Sequence, residues 1–227
     1  MDYAEGLSLA HMAQLSPAQM DRLTRIYLDS FGESWDIPVD KLPEFVAQRA
    51  EGQPSGRALA LLRDDVPVSL ALTSYLRESN YLYLLCLATD EHHRNGGLGG
   101  KMLRAVTQIA EEMALAEGHS GCRGTLAEVE TLDGPPPRAD RRLRARRIGF
   151  YQRHGAVATG VFTARPPWAR PQMPVWEVML LPGRAWTREL DGPTLREMAY
   201  ALMVEGCHFS PQADWLIAYL DRIHPLG

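Results

Sequence analysis

The chain has 227 residues, 45% apolar and 23% charged, with a formal net charge of −4 at pH 7. Such a chain can bury a core, which excludes general disorder and suits one globular domain, or one domain with an appendage. The slightly acidic balance gives no support for nucleic-acid binding, and no apolar run approaches the roughly 18–20 residues a membrane helix needs, so neither partner is expected.

Reading along the chain, Ser16 and Gln19 carry a capping-box pattern and Pro17 takes the favoured first helical position. Met20, Leu23, Ile26, Tyr27 and Phe31 follow at helical spacing, and Gly32 closes the helix. A weaker helix is expected over 39–50, with Leu42, Phe45 and Val46 inward. The period then changes. Arg57–Leu62 and Val66–Leu76 read as strands around an Asp64-Asp65 turn, and Tyr81–Thr89 is apolar enough to be buried on both faces. Arg94-Asn95-Gly96-Gly97-Leu98-Gly99-Gly100 feeds an amphipathic helix through Met102, Val106, Ile109 and Met113. Gly124–Thr131 is a strand, and Asp133-Gly134-Pro135-Pro136-Pro137 is a loop. Arg141–His154 is a helix stopped by Gly155. Val157–Phe162 and Val175–Leu181 are the last strands, and Pro193–Glu205 and Pro211–Ile223 are closing helices. This order implies an α/β (or α+β) fold with a mixed sheet. The expected domains are 1–184 and a C-terminal helical extension, 185–227.

Three widely spaced cysteines, Cys86, Cys122 and Cys207, imply neither a disulfide framework nor a zinc cluster. Met1–Glu5 lacks the basic-then-apolar order of a signal peptide, so a cytoplasmic protein is expected. His92 and His93 lack the spacing of a zinc pair on a helix and read as an exposed turn; no metal is expected.

The informative segment is Arg94 to Lys101. A strand, a glycine-rich turn and a helix starting inside that turn build an anion site, because first-turn N–H groups lack acceptors and the helix dipole adds positive charge. Two phosphate motifs fail here. A P-loop needs a hydroxyl after its lysine, and Lys101 is followed by Met102; the dinucleotide fingerprint needs a third glycine where Met102 stands.

Arg94, Gly97 and Gly99 instead fill the fixed places of Arg/Gln-x-x-Gly-x-Gly/Ala. That pattern resembles the acetyl-coenzyme A motif of the GCN5-related N-acetyltransferase (GNAT) superfamily. Leu84-Leu85-Cys86-Leu87-Ala88-Thr89 resembles the family's central strand, and Ile148–Ala156 resembles its later helix with the pattern aromatic-Tyr-x-x-x-Gly-Ala. Together the three motifs cover residues 60 to 180. The resemblance implies a mixed sheet splayed in a V between its fourth and fifth strands, with acetyl-CoA as co-substrate. It also implies that backbone groups of Leu87, Ala88 and Thr89 pair with the pantetheine amides, as an added strand does. The N–H groups of Arg94, Asn95, Gly96, Gly97, Leu98 and Gly99 then hold the pyrophosphate, with Gly100 at the rim.

Acetyl transfer to an amine needs a neutral amine, a stabilised oxyanion and a proton for the departing thiolate. Tyr151 matches the family's tyrosine, often assigned as general acid, and a phenol with a reference pKa near 10 is protonated at pH 7. Leu126–Thr131 resembles the fifth-strand segment of members that acetylate protein N-termini, with Glu128 in the glutamate place. Glu130 stands where arginine is usual, and Asp133 where asparagine is usual. Strand period puts Glu128 and Glu130 on one face, so they are candidates for a base with a raised pKa, for a negative wall attracting an amine, or for a solvated edge. The arginines between 138 and 147 read as a solvated helix face, with a site for the cofactor's 3′-phosphate or for an acidic surface as the alternatives. The acceptor loops implied by the family contain Phe31, Glu33, Trp35 and Asp36, and Phe162–Val175 with Trp168.

The function expected is therefore an N-acetyltransferase using acetyl-CoA on a small-molecule or peptide primary amine. A non-catalytic acyl-CoA-binding sensor or interaction module is the alternative. The C-terminal helices carry two apolar stripes that need a third surface, either this domain or a second copy; a homodimer is the expectation.

Overall fold

The computed structural model describes residues 6–32, 37–50, 55–132, 141–164, 166–168 and 175–223. It is a mixed α/β fold whose seven strands are β1 (Leu7–His11), β2 (Ala58–Arg63), β3 (Val66–Leu76), β4 (Tyr81–Thr89), β5 (Gly124–Glu130), β6 (Val157–Phe162) and β7 (Trp176–Pro182). Their order in the sheet is β1-β2-β3-β4-β5-β7-β6. The described residues fall into two compact units, one within 1–75 and 84–109, the other within 76–83 and 110–227.

In the first unit, helix α1 (Pro17–Phe31) begins with the capping box that its sequence announces. Ser16 Oγ accepts the Gln19 N–H at 3.3 Å, and Gln19 Oε1 accepts the Ser16 N–H at 3.0 Å. Leu23, Ile26 and Tyr27 of α1 pack with Leu42 and Val46 onto Ala60, Leu62, Leu70 and Leu72. The buried Tyr27 hydroxyl donates to the Ile37 carbonyl at 2.9 Å, which satisfies its polar end. The expected second helix is a single 3₁₀ turn, Val39–Lys41, followed by α2 (Leu42–Ala47), which Pro43 starts in the first helical turn. Asp64 and Asp65 both have positive φ (49° and 62°), the backbone of a tight hairpin turn. The sheet register slips between Leu61 and Leu62, opposite Pro67, as a strand proline requires. Strand β1, not anticipated from the sequence, pairs antiparallel with β2.

In the second unit, β7 lies between β5 and β6 and is antiparallel to both, with Glu128 opposite Val178. The pairing of β6 with β7 shifts register between Ala158 and Phe162. Helix α4 (Arg141–Arg153) precedes β6. Helix α5 (Gly192–Tyr200) runs into a π-helical segment, Ala201–Gly206, where one continuous α-helix was expected, and α6 is Asp214–Leu220. This tail belongs to the second unit. Leu195, Met198, Ala199, Leu202, Met203 and Leu216 are all buried, so the stripe on α5 is covered within the chain. Among the described residues no helix is long and apolar enough to cross a membrane.

Candidate active site

The glycine turn lies in the first unit, between β4 and helix α3 (Leu98–Ala116). Asp90 starts it: Oδ1 accepts the His92 N–H at 2.9 Å, and Oδ2 pairs with Arg22 Nη2 at 2.8 Å. Burial alone would raise the Asp90 pKa, but the His92 N–H, the His93 side chain and Arg22 together bring it below its ordinary value. His93 thus faces Asp90 at 3.5 Å, while His92 is exposed; among the described residues no acidic, histidine or cysteine group is placed to hold a metal.

Arg94 Nε donates to the Thr89 carbonyl at 3.1 Å and closes the turn. Asn95 (φ 68°) and Gly97 (φ 74°) adopt left-handed backbone, and a side-chain carbon at Gly97 would meet nothing within 4 Å. Glycine is needed there for its dihedral and for an open backbone, not for lack of room. At this end of α3 the Lys101 N–H donates to the Gly97 carbonyl at 3.1 Å. The N–H groups of Leu98, Gly99 and Gly100 precede it and have no intrahelical acceptor. Arg94 to Gly97 are exposed, Leu98 is buried and anchors the helix start, Gly99 is half-buried, and Gly100 is buried rather than at a rim. On the preceding strand Leu87 and Thr89 are half-buried and Ala88 is buried, its carbonyl accepting from Ser69 Oγ at 2.6 Å. An exposed turn, Arg94–Gly97, running into a helix start suits a pyrophosphate.

The second unit holds the carboxylates. Glu128 is half-buried on β5. The Tyr83 hydroxyl donates to its Oε2, and the Thr163 hydroxyl donates to its Oε1. Desolvation pushes the Glu128 pKa above its ordinary value, against the two hydroxyls, which favour the charged form. Burial is the cause of this shift, and Glu130 does not contribute to it. Glu130 has a different job: Arg144 Nε reaches its Oε2 at 3.1 Å and Arg147 Nη1 at 3.5 Å. Arg144 is only 2% exposed and also donates to the Thr131 carbonyl at 3.3 Å. One member of the arginine run is therefore buried, while Arg141, Arg142 and Arg146 are exposed as expected.

Tyr151 is half-buried in the last turn of α4, its ring edge-on to Phe150 at 5.2 Å. Its carbonyl accepts the N–H groups of His154 and Ala156, both at 3.0 Å, around Gly155 (φ 89°). His154 Nδ1 lies 2.8 Å from the Phe150 carbonyl, in keeping with its expected place at the helix end. Of the acceptor candidates, Phe31 is partly exposed at the end of α1; Glu33, Trp35 and Asp36 lie outside the described residues. Trp168 meets Phe209 and Trp215 of the tail, an aromatic cluster the sequence did not reveal. Tyr83, Thr163 and Tyr219 were also missed. Tyr83 offered only a hydroxyl in a largely apolar strand, a feature it shares with Tyr81 and Thr89; Thr163 and Tyr219 carry no local cue.

Residues 20–123 match the model of the acetyltransferase (GNAT) family. Ard1 from Thermoplasma volcanium shares the fold, with a TM-score of 0.55 and 16% identity over 78% of this chain and 98% of that one. The ribosomal-protein-S18-alanine N-acetyltransferase from Escherichia coli aligns with a TM-score of 0.51 and 14% identity, over 81% and 96%. The structure of yncA from Salmonella typhimurium with its cofactor acetyl-CoA gives 0.54 and 14%, over 78% and 93%. No curated protein matches the chain by sequence.

Proposed function

We propose that this chain transfers an acetyl group from acetyl-CoA to a primary amine, with Glu128 taking the amine's proton and Tyr151 supplying one to the leaving group. The observation that carries the reading is Glu128: a desolvated carboxylate held at both oxygens, with its proton affinity moved towards neutral pH. Each of its oxygens has further lone-pair capacity for an ammonium N–H. The glycine turn fits the cofactor's pyrophosphate, because Arg94 to Gly97 are exposed and a side-chain carbon at Gly97 would meet nothing within 4 Å. Acetyl-CoA, when bound, supplies an acetyl group activated as a thioester. Backbone groups of Leu87, Ala88 and Thr89 hold the pantetheine arm in this reading. Glu130 is not assigned as base, since Arg144 and Arg147 both pair with its Oε2.

Likeness to Ard1 and to an alanine N-acetyltransferase makes peptide N-termini one acceptor class to test beside polyamines, aromatic monoamines and lysine. Release of free CoA from acetyl-CoA is followed with each class. Turnover above the hydrolytic background with at least one class is expected. Calorimetric binding of acetyl-CoA without turnover on any amine would contradict the enzyme and leave a binding module.

A further inference from the structure

Both hydroxyls on Glu128 are backed by the C-terminal tail. Gly206, the last residue of the π-helical segment, lies against the Tyr83 ring: a methyl group there would come within 3.2 Å of Tyr83 Cδ1. On the other side, the Tyr219 hydroxyl of α6 donates to the Phe162 carbonyl at 2.7 Å, and Phe162 immediately precedes Thr163. The same stretch is held again further along. Trp168 packs edge to face on Trp215 at 5.9 Å and on Phe209 at 6.2 Å. The tail has its own anchors. The Glu78 N–H donates to Glu205 at 3.0 Å, Arg123 Nη2 pairs with Glu197 at 3.0 Å, and Met198 and Leu202 are buried.

We infer that residues 192–223 are a positioning element of the site, in which Gly206 and Tyr219 set the Tyr83 and Thr163 hydroxyls on the Glu128 carboxylate. Neither residue lies within the segment that matches the GNAT family model. A π-helical turn, locally wider than an α-helix, brings Gly206 against the Tyr83 ring, where a Cβ would be tight enough that the ring must shift slightly. The hydroxyls stabilise the charged carboxylate, so loosening either one raises its proton affinity. Among the described residues, the titratable groups that face Glu128 are Tyr83 from β4 and Tyr219 from α6, whose own pKa is raised by burial and by the Glu128 charge. Across β7 it meets Val178. Further along β5, Glu130 is paired with Arg144 and Arg147 of α4.

The consequence for catalysis rests on the proposed role of Glu128 as base; the placement of the hydroxyls does not. The full-length protein is labelled with carboxyl-¹³C glutamate, and the Glu128 resonance is assigned by its loss in Glu128→Gln. Its titration midpoint is then read in the wild type, Tyr219→Phe, Gly206→Ala, Thr163→Val and the Tyr219→Phe/Thr163→Val double variant. Losing a hydrogen bond to a charged group is worth about one pH unit, so Thr163→Val should raise the midpoint by about that much. Tyr219→Phe and Gly206→Ala should raise it in the same direction, and the double variant should go no further than Thr163→Val alone. Tyr219→Phe keeps the ring and so tests the bond without emptying the site. Wild-type midpoints in both Tyr219→Phe and Gly206→Ala, with thermal unfolding intact, overturn the inference; an additive double variant overturns the route through Thr163. The acid limb of kcat/KM is recorded in parallel. A midpoint that moves while the limb stays keeps the positioning role and removes Glu128 as the base.

Discussion

Gly97 shows how a single residue separates shape from charge. Its φ of 74° costs an L-residue roughly 1–2 kcal/mol, but there is open space beyond its Cα. Gly97→Ala should therefore fold and bind acetyl-CoA nearly as well. Gly97→Asp places a carboxylate where a pyrophosphate belongs, and calorimetry should show affinity at least about tenfold weaker. Equal affinities for both variants would remove the turn from cofactor binding. Tyr151→Phe keeps the ring that meets Phe150 and the carbonyl that caps the helix; kcat should fall by roughly ten- to a thousandfold with the KM for acetyl-CoA unchanged, and full turnover would leave the phenol without a catalytic part. Glu128 has a thermodynamic counterpart. Its folded pKa is raised, so between about 4.3 and the folded value the native state binds more protons than the unfolded one. Its contribution to stability therefore falls as pH rises through that window. Urea unfolding should show Glu128→Gln gaining on the wild type as pH rises above the ordinary carboxylate range; a constant difference would contradict the raised pKa. Glu128 was legible because strand period and family pattern met on it. Tyr83 and Thr163 were not, since they lie 45 and 35 residues away in the chain and only the folded sheet brings their hydroxyls to one carboxylate.

At the scale of elements, caps and turn chemistry made the boundaries readable. Ser16, Gln19, Pro17 and Gly32 delimit α1, and Gly155 stops α4 with the positive φ that only glycine takes easily. Three features escaped for physical reasons. Strand β1 is a five-residue edge strand with weak alternation, specified by its pairing with β2 rather than by its own sequence. The π-helical segment differs from an α-helix by one residue in hydrogen-bond spacing, to which side-chain periodicity is blind. Helix α4 read as a solvated arginine face, yet Arg144 is buried on Glu130 because the opposing charge comes from β5. Breaking a buried ion pair is costly, and here Glu130 keeps Arg147 and some solvent. Arg144→Met should thus lose about 2–3 kcal/mol in urea unfolding, at or below the low end for such pairs. A loss below about 0.5 kcal/mol would mean the pair is not holding α4.

Across the whole molecule, the mixed strand order and the alternation of helices and strands were enough to anticipate the fold class. The tail was not readable in the same way. Its amphipathic stripes announced burial without naming the surface, and the structure places α5, the π-helical segment and α6 in the unit that contains Glu128. The bond from Tyr219 to Phe162 spans 57 residues, beyond the reach of any local pattern. The C-terminal extension thus lies against the Tyr83 ring and bonds the carbonyl that precedes Thr163, behind the two hydroxyls on which the proposed base depends. In the proposed reaction Glu128 takes the proton of the acceptor amine. It is tested most directly by kcat/KM against pH, with acetyl-CoA saturating and the best amine varied, for the wild type and Glu128→Gln. The account expects a wild-type acid limb with its midpoint above the ordinary carboxylate range. In Glu128→Gln the rate should fall by about a hundred- to ten-thousandfold and that limb should vanish. A Glu128→Gln enzyme with the wild-type rate and the same limb would contradict it.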